Sequence, residues 1–225
     1  MSKVIAIDGP AASGKSTVAK AVAEALHIAY VNTGSLYRAV ALAAQRAGIP
    51  LETIPEGFLK TLRLTYRPDD SGKYELELDG AFPGAELRTA EVAAGASRVA
   101  AQPAVREFLL GVQRGFAGER LIVMEGRDIG TVIFPDAEYK FFVTATPEER
   151  ARRRLAQAGE VPDGATLAEV ARSIAERDRQ DSCRPIAPLK PAPDAEIIDT
   201  TGMTIPEVVA AILRRVGADS TQRRS

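Results

Sequence analysis

Apolar residues fall in short, separate runs along this chain, and their spacing changes from run to run. Residues 3–8 are a β-branched apolar stretch halted by Gly9-Pro10, which predicts a buried strand. Residues 14–26 then take helical spacing, with Val18, Val22, Ala25 and Leu26 on one side. A second strand is predicted over 28–31, and a second helix over 34–47, stopped by Gly48 and Pro50. Residues 62–66 and 74–78 break this rhythm by alternating with period two. The turn-forming residues 68–72 lie between them, so an antiparallel hairpin is predicted as a small insert on the main sheet. Helical spacing returns over 85–101 and 104–116. Strands follow at 121–124 and 139–143, each ahead of a polar loop. Thr146 as N-cap and Pro147 at the first helical position open a helix over 147–157. Another helix spans 167–183 and ends before Pro185. A proline-rich loop covers 185–193, a last strand 195–199 and a closing helix 205–216, with 217–225 expected to fray.

Short apolar strands alternating with helices predict an open parallel α/β sheet covered on both faces, with ligands beyond the strands' C-terminal ends. The loops after Asp8, Val31, Met124 and Val143 are therefore the places where chemistry is expected. The chain has 225 residues, enough for one domain with an insert. Its net charge of −1 supplies no global field for nucleic acid or a membrane surface. A single cysteine, Cys183, excludes an intrachain disulfide and fits a reducing compartment. No run has the length of a membrane span and no secretory leader is read, so a cytoplasmic protein is expected.

The loop after the first strand carries the strongest signal. Gly9, Pro10, Ala11, Ala12, Ser13, Gly14, Lys15 and Ser16, followed by Thr17, match G-x-x-x-x-G-K-[ST] between a strand and a helix. Glycines let the backbone wrap with its N–H groups inward, and the helix N-terminus adds positive partial charge. Lys15 is expected to reach the β- and γ-phosphates of ATP and the Ser16 hydroxyl to meet Mg²⁺. This pattern identifies a nucleotide phosphate and leaves the reaction open. No N-K-x-D, H-R-D or D-F-G stretch is present, which sets aside GTPases and protein kinases.

Several arginines stand where an anion would suit them. Arg38 is read in or near the first turn of a helix, against the dipole, either tolerated at the surface or neutralised by a ligand. Glu125-Gly126-Arg127-Asp128 is read as a ligand loop or as a polar turn with a local ion pair. Arg177, Asp181 and Arg184 share one helix face, either salt-bridged in solvent or turned toward a cleft. Glu148 and Glu149 can pair with Arg152 and Arg153 at i+4. Arg150 and Arg154 repel each other and have no evident acid, which leaves a phosphate as their partner.

Taken together these pieces resemble the bacterial cytidylate kinase family over nearly the whole chain. The resemblance rests on the phosphate loop, residues 32–38 (NTGSLYR), 96–106 (ASRVAAQPAVR), 125–135 (EGRDIGTVIFP) and 176–184 (ERDRQDSCR). The chain departs from the family at Thr33, often Ser, and at Glu125, often Asp. The resemblance implies a P-loop fold with a core at 1–60, 115–150 and 185–225, a CMP-binding insert at 61–100 and a lid at 150–170. It implies Ser97, Arg106 and Asp128 as readers of cytosine, whose exocyclic amine a carboxylate can accept from. Thr33 falls among the implied CMP contacts, Arg177 and Asp181 look like ribose contacts, and Arg38, Arg127 and Arg184 like the clamp on the acceptor phosphate. Arg153 resembles part of the ATP lid. The implied reaction is ATP plus CMP or dCMP giving ADP plus CDP or dCDP, with Lys15, Mg²⁺, Arg127 and Arg184 cancelling charge during in-line transfer. A monomer is expected, with no nucleic acid or membrane partner. A P-loop kinase for UMP, AMP or shikimate, and a regulatory module that only binds ATP, remain as rival readings.

Overall fold

A computed structural model describes residues 2–68, 74–118, 120–157, 161–162 and 164–222. Its main sheet has five parallel strands in the order β2-β5-β1-β6-β7: β1 (Ser2–Asp8), β2 (Ala29–Asn32), β5 (Ile122–Gly126), β6 (Ala137–Thr144) and β7 (Glu196–Asp199). β1 is central, with Val4 opposite Ile122 on one side and Ile5 opposite Tyr139 on the other. Its unbroken apolar run follows from burial on both faces. Ile5 and Ile7 pack on Val18 and Val22 of α1 (Lys15–Leu26) and on Val208 and Ile212 of α8 (Ile205–Gln222). Val4 and Ala6 face Met124, Ile129, Ile133 and Phe134 on the other side.

A second core lies beside the sheet. It joins α2 (Thr33–Arg46), α3 (Glu56–Leu59), α4 (Ala90–Ala100) and α5 (Pro103–Gly115) to a hairpin of β3 (Leu64–Pro68) and β4 (Tyr74–Leu78). Leu36, Val40, Leu64, Leu76, Leu78, Val99 and Leu109 are buried in it. The hairpin pairs Leu64 with Leu78 as a separate two-stranded sheet, so it adds no strand to the main one. Of the expected turn at 68–72, Pro68 instead ends β3 opposite Tyr74, and 69–72 lie outside the described residues. A third, small core packs Ala11 of the phosphate loop against Ala151 of α6 (Pro147–Leu155) and Val170 and Ile174 of α7 (Leu167–Ser182).

Four expectations are corrected. The helix expected over 85–101 divides at Thr89: a 3-10 turn covers Gly84–Arg88, and the Thr89 hydroxyl accepts from Val92 N to start α4. β5 runs two residues beyond 124, because Glu125 and Gly126 still pair with Ile7 and Asp8 of β1. α2 begins at Thr33 rather than 34, capped by Asn32, and Arg38 lies just past its first turn. α8 continues through Gln222, so the tail is helical beyond residue 216, and 223–225 lie outside the described residues. A π-type turn at Ile129–Ile133 had no sequence signature.

Candidate active site

The C-terminal ends of β1, β2 and β5 open into one cleft of about 1290 Å³, larger than a single drug-sized ligand needs. The phosphate loop forms its floor. Gly9 has φ 156, and a Cβ there would stand 2.1 Å from the Val143 carbonyl oxygen, so no side chain fits. Ala12, Ser13, Gly14, Lys15, Ser16 and Thr17 line the cleft, and Gly9, Pro10 and Ala11 lie behind them. Lys15 is buried and donates to the Pro10 carbonyl oxygen at 3.0 Å. Burial, and then the charge of Arg127, lower its pKa to about 7. An anion beside it would reverse both effects.

The same cleft gathers the expected acceptor residues. Thr33, Arg38, Ser97, Arg106, Arg127, Asp128, Arg177, Asp181 and Arg184 all line the same cleft. Arg106 and Asp128 form a buried ion pair, with the Arg106 guanidinium 5.8 Å from the centre of the Tyr37 ring. Burial pushes the Asp128 carboxyl up, against the pull of Arg106, Arg184 and Arg127. Asp181 accepts from Arg127 Nε at 2.9 Å and lies 3.5 Å from Arg184. Burial alone would raise the Asp181 pKa, but Arg127, Arg184 and Arg177 outweigh it and hold the carboxyl low. Arg184 Nη2 is buried and makes no hydrogen bond, which leaves a donor for a ligand oxygen. Thr33 instead turns its hydroxyl to the Glu125 carbonyl oxygen at 2.8 Å, and Arg38 donates to the Leu87 carbonyl oxygen at 2.7 Å.

The arginine cluster of α6 resolves differently from its sequence reading. Arg150 has an acid after all: it pairs with Asp178 of α7 and donates to the carbonyl oxygens of Ala11 and Ala145. Its partner is far away in sequence, so local spacing did not show it. Arg152 and Arg153 both pair with Glu149, at i+3 and i+4. Arg153 also donates to the Ser13 carbonyl oxygen and to Thr200, so it braces the phosphate loop from behind. Arg154 is the one that reaches the cleft wall. Burial, and then Arg177, lower its pKa to about 10; burial, and then Arg127, do the same to Arg177. Glu125, Tyr37 and Arg88 also line the cleft, though motif spacing gave them no separate role. Buried Glu125 accepts from the Tyr30 hydroxyl at 3.2 Å.

Among the described residues no group of three or more His, Cys, Asp or Glu side chains could hold a metal, and no helix is long and apolar enough to cross a membrane. Mg²⁺ is commonly held by one or two side chains plus substrate phosphates, so the absence of an all-protein cage is compatible with it. Ser16, with Glu125 elsewhere in the same cleft lining, fits that donor set.

The sequence comparisons agree on one family. The family model for cytidylate kinase matches residues 5–218. A cytidylate kinase of Pelotomaculum thermopropionicum is 47% identical over 220 residues, covering 95% of this chain and 96% of the relative. One from Oleidesulfovibrio alaskensis is 45% identical over 219 residues, covering 95% and 97%. Among solved structures, a gluconokinase from Sinorhizobium meliloti superposes with a TM-score of 0.51 at 14% identity, covering 99% of this chain and 97% of that one, a likeness of fold alone.

Proposed function

This chain belongs to the cytidylate kinase family, and from that premise we propose that it transfers the γ-phosphoryl group of ATP to CMP or dCMP, giving ADP and CDP or dCDP. One observation carries the reading: the phosphate loop and a second cluster of cations line one cleft, together with the buried Arg106–Asp128 pair. In this reading the loop and Lys15 take the ATP phosphates, with Arg154 closing on them from the 150–170 lid. Arg38, Arg127 and Arg184 take the acceptor phosphate. Ser97, Arg106 and Asp128 read cytosine from the side of the 61–100 insert, and Arg177 and Asp181 hold the ribose. Asp128 can accept from the exocyclic amine of cytosine but repels the carbonyl that uracil has there.

The acceptor phosphate is already an oxygen nucleophile, so alignment and charge cancellation suffice. Mg²⁺, held by Ser16 and the phosphates, would supply positive charge on the β- and γ-oxygens. Lys15, Arg127 and Arg184 supply the rest, and closure of the arginine segment on ATP would exclude water, which suppresses idle hydrolysis. Every group used comes from one chain, so the reaction requires no second copy. Its use of ATP supports the cytoplasm as its compartment.

The test is ADP release with ATP-Mg²⁺ and each of CMP, dCMP, UMP, AMP and shikimate. Fast turnover confined to CMP and dCMP is expected. Preference for another acceptor overturns the base-reading roles and keeps the kinase. Intact ATP binding without turnover on any acceptor overturns the reaction.

A further inference from the structure

Asp8 is a buried carboxylate just outside the cleft lining. It ends β1, directly before Gly9, and is 4% exposed. Its Oδ1 accepts from the Ile129 amide at 2.9 Å and its Oδ2 from the Gly130 amide at 2.8 Å. These two amides open the π-type turn immediately after Asp128. On the other side of Arg127 and Asp128, Gly126 is paired with Asp8 in the β1–β5 ladder. The two-residue segment Arg127-Asp128 is therefore held at both ends by one residue. Asp8 itself has little freedom, because the next residue, Gly9, sits hard against the Val143 carbonyl.

Such a fork does more than fill a turn. Two N–H groups on one carboxylate are charge-assisted bonds, roughly twice as strong as neutral ones. They fix Arg127 and Asp128, which face the acceptor, to the strand end that carries the phosphate loop. Burial raises the Asp8 pKa to about 7, against the pull of the two amides; the Asp128 charge raises it further and Lys15 lowers it. A carboxyl held at that cost, with both oxygens used on a single segment, points to a demand for placement.

We propose that Asp8 is a positioning residue that locks the acceptor-reading segment Arg127-Asp128 to the phosphate loop, so that acceptor selection depends on it. The proposal rests on the reading of those two residues given above. Asp8→Asn keeps the shape but turns an N–H₂ group toward one of the two amides, leaving that amide without an acceptor. Relative to wild type, the ratio of kcat/KM between the best acceptor and the next best is expected to fall about tenfold, the effect of losing one charge-assisted bond. The acceptor KM rises, while ATP affinity stays within about twofold. A lower melting temperature with an unchanged acceptor ratio and KM would reduce Asp8 to a stabilising residue and overturn the proposal. Should Asp8→Asn fail to fold, amide hydrogen exchange on the wild type decides. The Ile129 and Gly130 amides should be protected like Val123 in the core, and exchange at the speed of an open turn would overturn the clamp. The acceptor ratio is taken between whichever two acceptors rank first and second. A wild type that prefers an acceptor other than CMP thus refutes the proposed reaction and still tests Asp8.

Discussion

Lys15 is an amine buried in the phosphate-loop motif, and in its proposed role its protonation should follow the ligand. In the free protein its pKa lies near 7, lowered from 10.5 by burial first and by Arg127 next. The unfolded chain keeps that proton up to its ordinary value. Between pH 7 and 10.5 the unfolded state therefore binds more protons, and this residue makes stability rise with pH across that window. ATP binding has the opposite sign, because polyphosphate favours the charged amine and pulls a proton back on. At pH 8 binding is expected to take up most of one proton, seen as a dependence of the calorimetric heat on the buffer's ionisation enthalpy. Affinity should fall toward about tenfold per pH unit above 7. Lys15→Met should remove the buffer dependence. Heats that do not vary with buffer in the wild type would mean the amine is charged before ATP arrives. The motif that carries this residue was legible because it is local, eight consecutive positions joining a strand to a helix. Arg150 was misread for the converse reason: its acid, Asp178, is brought to it only by the packing of α7 on α6.

The hairpin packs its leucines into the second core, and among the described residues Tyr66 ties it to the end of β2. Tyr66 of β3 donates to the Asn32 carbonyl oxygen at 2.8 Å and accepts from the Asn32 amide at 3.2 Å. Its ring stands edge-on to Phe116 with centroids 5.4 Å apart. Asn32 ends β2 and caps α2, the helix that carries Arg38 into the cleft. Tyr66→Phe leaves the ring contact and strips both bonds from that backbone, at an expected cost of about 1–3 kcal/mol in denaturant unfolding. If the hairpin serves the acceptor side, the KM for CMP should rise and that for ATP should not. An equal rise in both would separate the tie from acceptor binding. Period-two alternation made these two strands legible, since their leucines share one buried face. The same signal was silent on how the hairpin sits, because Tyr66 meets Asn32 across a gap that alternation does not encode. It was silent too on the Asp8 clamp, whose partners are 121 and 122 residues away and are backbone amides without side-chain identity. The extra residues of β5 are likewise a product of pairing with β1.

The whole molecule is nearly neutral, yet it concentrates cations on one cleft. Arg38, Arg127 and Arg177 each act against the Arg154 charge, and Arg127 and Arg38 against that of Arg177. A net charge of −1 conceals this, since Lys and Arg outnumber Asp and Glu in the cleft lining. Mutual repulsion among partly buried cations is a cost the free protein carries and an anionic ligand removes. Phosphate groups should therefore stabilise the fold out of proportion to the bases attached to them. CMP together with a non-transferable ATP analogue, at about 100 times their dissociation constants, should each add about 2.7 kcal/mol. For a chain of this length that is a rise in melting temperature of about 5–10 °C per ligand. Cytidine offers the same base and ribose without the phosphate, and at equal concentration should give a shift close to zero. Raising the salt should shrink the CMP shift only in part, because charges inside a cleft are screened less than those on a surface. A cytidine shift as large as that of CMP would mean that the base and ribose carry the affinity, and the arginine wall would lose its assigned ligand.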